Sequence, residues 1–254
     1  MSRSARGTRS PKRGSSLRPQ DQLQAPCTVL VVCAHPDDAE WGCGGTVAKL
    51  AAAGAHVHFL ICTDGAQGDD SGKFTPEQLL AVRKEEQQNA AAMLGVQSVQ
   101  YLDEHDGFVQ SSFELRGKVV YWIRKLRPDI VFTHDPSPFV RFDAGGINHS
   151  DHRHVGQAAI DAVYPAARMA HMYPDSINGK MQPHQVPHLL LFDTREPNHY
   201  EDVSATAKLK IEALHCHASQ FRWRMDEWFD GHMREMGKDV GIDHVEAFRR
   251  FKID

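Results

Sequence analysis

An α/β fold with a mostly parallel sheet and helices on both faces is what this sequence predicts, and three features carry it. Continuous apolar, β-branched runs recur at residues 28–33 (TVLVVC), 56–62 (HVHFLIC) and 129–133 (DIVFT). Such runs suit strands covered on both faces. Segments of helical spacing separate them, so strand and helix alternate, as in parallel α/β sheets. Finally, the chemically rich stretches start where strands end, at Ala34, Thr63 and Thr133. Ligands of open α/β sheets gather in the crevice outside those carboxyl ends.

The elements follow in order. After the strand at 28–33, residues 45–53 read as a helix that Gly54 stops, and 56–62 as the next strand. Residues 63–73 form a polar, glycine-rich loop. Thr75 caps and Pro76 opens a long helix over 76–93, which Gly95 ends. A short strand is expected over 98–101 and a helix over 112–125. Pro128 introduces the strand at 129–133, followed by a helix over 152–165, a strand over 187–192 and a helix over 204–218. One or two further helices are expected in the polar, aromatic C-terminal region. No repeat or linker divides the body, so residues 26–254 are expected to form a single domain.

Of the 254 residues, 41% are hydrophobic and 24% charged, a globular balance ample for a large core. The net charge of -4 conceals an asymmetry. Residues 1–20 hold six basic side chains and no acidic one, leaving 23 basic against 33 acidic residues in the remainder. A body near -10 lacks the positive face that nucleic acid requires, so no nucleic-acid partner is expected. The basic stretch is rich in Ser, Gly, Pro and Arg, and residues 1–25 are expected to be a disordered tail. No apolar run long enough for a membrane span follows it, so no membrane partner is expected. Five cysteines, an odd number without a CxxC pair, fit reduced, buried thiols and a cytoplasmic location.

Two segments carry metal-site chemistry. Ala34-His35-Pro36-Asp37-Asp38-Ala39-Glu40 follows the first strand directly, and packing alone gives no reason to place a His and two carboxylates there. His149-Ser150-Asp151-His152-Arg153-His154 lies at a loop-to-helix transition. Zinc hydrolases use three protein ligands and keep one position for water. The bound water deprotonates near neutral pH, and a further carboxylate can take its proton. Spacing does not choose among the donors: His35, His149, His152 and His154 are all candidates.

With these residues in view, the chain resembles the PIG-L/LmbE-like N-acetylglucosaminyl deacetylases. Their Ala/Gly-His-Pro-Asp-Asp-x-Glu motif stands intact at Ala34–Glu40, and their His-x-Asp-His motif at His149–His152. The resemblance extends over residues 28–220, through Thr63-Asp64-Gly65, Arg83 with Glu86, Pro128-Asp129 and His217-Ala218-Ser219-Gln220. It implies that His35, Asp38 and His152 hold the zinc ion, that Asp37 is the general base, and that protonated His149 helps the oxyanion and leaving amine with Asp151 as its charge partner. Glu40 fixes the loop or a ligand. Arg83 meets substrate or forms a structural ion pair with Glu86 or Asp64. The implied reaction is zinc-dependent hydrolysis of an acetamide on an N-acetylglucosamine-containing small molecule or glycoconjugate, releasing acetate and a free amine. Two alternatives stay open: an amidase for a thiol conjugate or other acylated amine, and a nonenzymatic metal-containing binding protein. His and carboxylate ligands also accept other divalent metals.

Remaining signals are weaker. Gly42, Gly44 and Gly45 lack the Lys-Ser/Thr ending of a phosphate loop and read as a tight turn. Residues 139–148 form a candidate substrate rim, with Asn148 on substrate or on loop backbone. His217 lies near a helix end that the resemblance places near the site, where it reads as architecture or as a substrate contact, and His215 is a further candidate. Phe221, Trp223, Trp228 and Phe229 read as an amphipathic core face, because acidic residues interrupt them where a base-stacking platform needs positive charge. Aromatic segments of this kind are compatible with a homo-oligomer.

Overall fold

The first strand, β1 (Thr28–Cys33), alternates its side chains between two apolar layers. Val29, Val31 and Cys33 enter one core; Leu30, Val32 and then Ala34 enter the other. A fully buried strand needs apolar residues on both faces, which is why its sequence shows no polar alternation. The structure, a computed structural model, describes residues 22–25, 27–140, 146–174, 181–221, 225–238 and 240–253. The basic tail through residue 21, positions 141–145 of the expected substrate rim, and Trp223 lie outside the described residues.

β2 (His56–Thr63), β3 (Ser98–Glu104), β4 (Ile130–His134) and β5 (His188–Phe192) join β1 in parallel, in the order β3-β2-β1-β4-β5. Val29 sits opposite Val57 on one side and Ile130 on the other. Helices α1 (Asp38–Ala52), α2 (Pro76–Met93) and α5 (Ala207–Leu214) cover the face of Val31 and Phe59. Helices α3 (Phe113–Leu126) and α4 (Ser150–Val163) cover the face of Leu30 and Val131. The expected Rossmann-like α/β fold is therefore the observed one. Its strand order turns from β1 toward β2 on one side and β4 on the other, which opens the crevice at their carboxyl ends. Among the described residues, no helix is long and apolar enough to cross a membrane.

The C-terminal region departs from expectation. Among the described residues it holds one helix, α6 (Asp226–Lys238), and then a strand, β7 (Val245–Lys252), where a further helix was allowed. β7 runs antiparallel to β5 and to the short β6 (His199–Asp202), which the sequence did not announce. Phe248 on β7 is fully buried and packs edge-on against Phe132, with ring centroids 5.2 Å apart. The unpaired edge of β5 thus decides the local structure, by offering hydrogen bonds and apolar contact together.

α1 begins at Asp38, seven residues before the expected start at 45, and contains a break at Cys43 (φ -148°, ψ 17°). Beyond the break, Glu246 of β7 accepts from the backbone N–H groups of Gly45 and Thr46 at 2.9 and 2.8 Å. A carboxylate from a distant strand therefore caps the part of the helix that periodicity identified. Residues 22–25, counted with the tail, include anchored backbone. Leu23 is buried and donates its N–H to Glu201 at 2.7 Å, and the Gln22 side chain donates to Tyr200 O at 2.8 Å.

Arg124 near the end of α3 is buried, and its guanidinium donates to the carbonyls of Ala166, Ala167, Met169, Met172 and Tyr173 at 2.8–3.1 Å. This binds the turn after α4 to α3. Arg124→Ala is expected to cost about 2–4 kcal/mol, because several carbonyls lose a charged donor at once. Arg124→Lys is expected to recover less than half of that, since an ammonium cannot span five acceptors. Urea denaturation of the two variants measures both values.

Candidate metal centre

The segment after β1 turns sharply, and Asp37 takes φ 103° there, a left-handed conformation that is strained for a non-glycine residue. This turn sends Asp37 and Asp38 toward the crevice at the start of α1. His152 arrives from the first turn of α4, and His35 from the end of β1. His35 Nδ1 lies 3.2 Å from His152 Nε2 and 3.4 Å from Asp38 Oδ2, while His152 Nε2 lies 3.1 Å from Asp38 Oδ1. Ligand atoms at zinc–nitrogen distances on a tetrahedron stand about 3.3 Å apart. Two imidazoles and a carboxylate at this spacing fit a divalent ion.

The tautomer of His35 is set from behind. Its Nε2 lies 3.0 Å from Asp106 Oδ1 and 3.2 Å from Asp151 Oδ2, so the ring proton belongs there and the Nδ1 lone pair faces the cluster. In the metal-free protein burial pushes the His35 pKa down, but hydrogen bonds to Asp106, Asp151 and Asp38 outweigh it and hold it well above the usual value, so the Nδ1 lone pair becomes available to an ion when the Nδ1 proton leaves. Burial raises the Asp106 carboxyl, yet its contacts with His35, Gln67 and Arg83 leave it at about 2. Three overlapping donor groups emerge among the described residues: His35, His149 and His152; Asp38, His134 and His152; and His35, Asp106 and Asp151.

Asp151 meets both histidines. Its fully buried carboxylate accepts from Gly107 N at 2.7 Å and Val109 N at 3.3 Å, faces His35, and acts on His149 through its charge. His149 is the N-cap of α4, and its Nδ1 accepts the Asp151 N–H at 3.2 Å. That bond occupies the Nδ1 lone pair, so the neutral ring carries its proton on Nε2. Burial and the neighbouring His35 and His152 lower the His149 pKa, despite Asp151.

Arg83 is buried and donates to Gly65 O at 3.0 Å, Pro36 O at 2.7 Å and Asp37 Oδ2 at 3.3 Å. It reaches neither expected ion-pair partner. Glu86 instead accepts from Ser219 N and Oγ, both at 2.7 Å, and Asp64 accepts from Ala66 N and Asp106 N. Burial raises the Asp37 pKa, Arg83 pulls it down, Asp38 pushes it up, and the net direction is upward. Glu40 is fully buried, accepts from Gln87 Nε2 at 2.7 Å and stands 3.4 Å from His217 Nε2. Gln87 also accepts the Asp37 N–H at 3.1 Å, so Glu40 and His217 sit behind the Asp37 turn. Asn148 takes the backbone option, donating to Pro138 O at 2.9 Å. His154 meets Ser111 N and His215 meets Asp226, both outside the donor groups above.

Two buried groups escaped sequence reading. Asp106 sits just beyond β3, and the Asp-Gly pair at a strand's carboxyl end was the available signal. His134 ends β4 with Nε2 3.2 Å from Asp38 Oδ2, and its ring stacks on His152 at 4.1 Å. Burial is the main reason its pKa falls to about 4. A cavity of about 280 Å³ opens over the cluster, lined by His35, Asp37, Asp38, Arg83, His149 and His152 among others.

A mostly parallel α/β sheet bearing clustered His and Asp donors at its strand ends defines the class, an α/β protein with a candidate metal centre. The chain belongs to the PIG-L/LmbE-like deacetylase family: the family model described as GlcNAc-PI de-N-acetylase matches residues 30–163. The diacetylchitobiose deacetylase of Thermococcus kodakarensis is 34% identical over 225 residues, covering 87% of this chain and 82% of that protein. The 1D-myo-inositol 2-acetamido-2-deoxy-alpha-D-glucopyranoside deacetylase of Rhodococcus jostii is 33% identical over 58% of this chain, but the match spans only 56% of that protein. The N,N'-diacetylchitobiose deacetylase of Pyrococcus horikoshii, complexed with its inhibitor MPG, aligns with a TM-score of 0.81 at 29% identity, covering 89% of this chain and 84% of that one.

α4 packs so closely on β4 that a Cβ at Gly156 would stand 2.5 Å from His134 O. Gly156→Ala is expected to push α4 outward, cost about 1–3 kcal/mol and, by shifting His152 within its donor group, weaken any binding of a divalent ion such as zinc. Denaturation and zinc titration test the two effects separately. In the unaltered protein, one equivalent of zinc is expected to raise the melting temperature and a chelator to reverse the rise. Calorimetric scans with and without each addition measure it.

Proposed function

We propose that this protein is a zinc-dependent deacetylase acting on an N-acetylglucosamine-containing small molecule or glycoconjugate, with His35, Asp38 and His152 as the metal ligands. The observation that carries this reading is the convergence of those three donors beside Asp37, whose carboxyl is raised in pKa and faces the same cavity. When bound, the ion polarises the acetamide carbonyl and acidifies a water molecule. Family membership and the acetamido-sugar relatives support the substrate class, and the His and carboxylate donor set suits zinc.

The chain's own groups then divide the work. Asp37 takes the proton of the attacking water and returns it to the departing nitrogen, so that amide and water give acetate and amine. Arg83 holds the Asp37 carboxylate in place while leaving its pKa above the ordinary range. His149 donates from Nε2 to the carbonyl oxygen as that atom gains charge, its orientation fixed by the Asp151 N–H behind it. Asp106 and Asp151 act through His35, keeping its Nδ1 lone pair aimed at the ion.

Zinc-loaded protein is expected to release acetate from at least one member of a panel of N-acetylated sugars and sugar conjugates. Silence across the panel despite one bound ion would reject the deacetylase reading. Asp37→Asn is expected to keep one zinc ion, by elemental analysis, and to lose at least about 100-fold in kcat. Near-normal turnover in that variant would remove Asp37 as the base.

A further inference from the structure

Beside the metal cavity lies a second one, of about 360 Å³, and Trp41 and Asp193 border both. The two differ in character. The first is walled by imidazoles, carboxylates and Arg83. The second carries Trp41, Trp228, Phe229, Met233 and Met236 together, with Arg195, His232 and Glu235 also on its lining. Trp41 is held at the boundary by its Nε1–H bond to Asp193 Oδ1 at 3.2 Å. Its ring meets those of Trp228 and Phe229 at centroid distances of 5.3 and 5.2 Å, so the aromatic wall runs unbroken from α1 to α6.

Three buried polar residues of this chamber, Lys210, Glu246 and Asn148, are bonded within the protein. Lys210 Nζ donates to Glu246 Oε1 at 2.6 Å and to Trp41 O at 2.7 Å, and Asn148 Nδ2 donates to Pro138 O at 2.9 Å. A hydroxyl-rich ring placed there would give up water without gaining those groups as partners. Aromatic faces and thioethers, by contrast, suit a flat apolar group. An apolar cavity of about 150 Å³ takes a benzene ring, so this chamber has room for an aryl group with its linking atoms.

We infer that the chamber is a subsite for an aryl or similarly flat apolar substituent carried by the acetamido compound, which makes apolar-substituted N-acetylglucosaminides the preferred substrate class. The inference rests on the deacetylase reading for the placement of the acetamide. Apolar burial of a phenyl ring sets the scale of the expected preference at about tenfold or more.

The test compares phenyl and methyl N-acetylglucosaminide on the zinc-loaded full chain. Binding is followed by stopped-flow tryptophan fluorescence before turnover, and acetate release is read in the same solutions. The phenyl compound is expected to bind at least about tenfold more tightly. Met236→Lys, which puts an ammonium in the chamber and keeps every tryptophan, is expected to erase that preference and leave methyl glycoside binding unchanged. Trp228→Ala, read by calorimetry, is expected to do the same. Equal binding of the two glycosides, binding of neither, or a preference that survives both substitutions overturns the inference. Acetate release from both without a phenyl preference removes the chamber's role and leaves the deacetylase reading intact. A phenyl preference in binding with no acetate from either compound supports the chamber and removes the deacetylase reading.

Discussion

His35 holds its Nε2 between the carboxylates of Asp106 and Asp151, and that contact ties three separate parts of the fold to one ring. β1 supplies the imidazole, the turn after β3 supplies Asp106, and the first turn of α4 supplies Asp151. A buried carboxylate is costly unless paired and hydrogen-bonded. Here each is both: Asp106 also accepts from Gln67 N at 3.0 Å, and Asp151 from Gly107 N at 2.7 Å. The arrangement locks one tautomer and leaves a single lone pair for the cluster. Asp38 and His152 can complete a metal centre because His35 is already aimed.

A second layer rests on α2, which contributes no donor to the cluster yet governs the turn at Asp37. Arg83 and Gln87 lie one helical turn apart and bind the two polar groups of a single peptide unit in that turn, the Pro36 carbonyl and the Asp37 N–H. Gln87 continues to Glu40, and Glu40 to His217, while Glu86 fixes Ser219. The His217–Gln220 segment is thus held to the site through α2. The strain of the left-handed Asp37 is retained because these bonds over-determine its position.

Much of the fold was legible before any coordinates, for a physical reason. The buried strands need unbroken apolar sequence, so 28–33 and 129–133 announced themselves, and Thr75 and Pro76 signalled a helix start that the structure confirms with a full capping box. β6, β7 and the early start of α1 were not legible. β7 owes its conformation to the vacant edge of β5, and the broken helix α1 owes its second half to Glu246, about 200 residues away. Neither influence leaves a local trace in the residues it acts on.

The same division runs through the candidate centre. Local sequence determined which residues enter it from the two motifs, since His35, Asp37, Asp38, His149, Asp151 and His152 each lie at a strand end or helix start that their neighbours dictate. Only tertiary structure decided how they are used. It brought Asp151 to His35 as well, sent Arg83 to Asp37 instead of Glu86 or Asp64, and brought in Asp106 and His134 from unmarked positions. Spacing along a chain fixes which side chains leave an element together. The partner a buried charge finds is set by which strand ends the sheet order places side by side, and that order is a property of the whole fold.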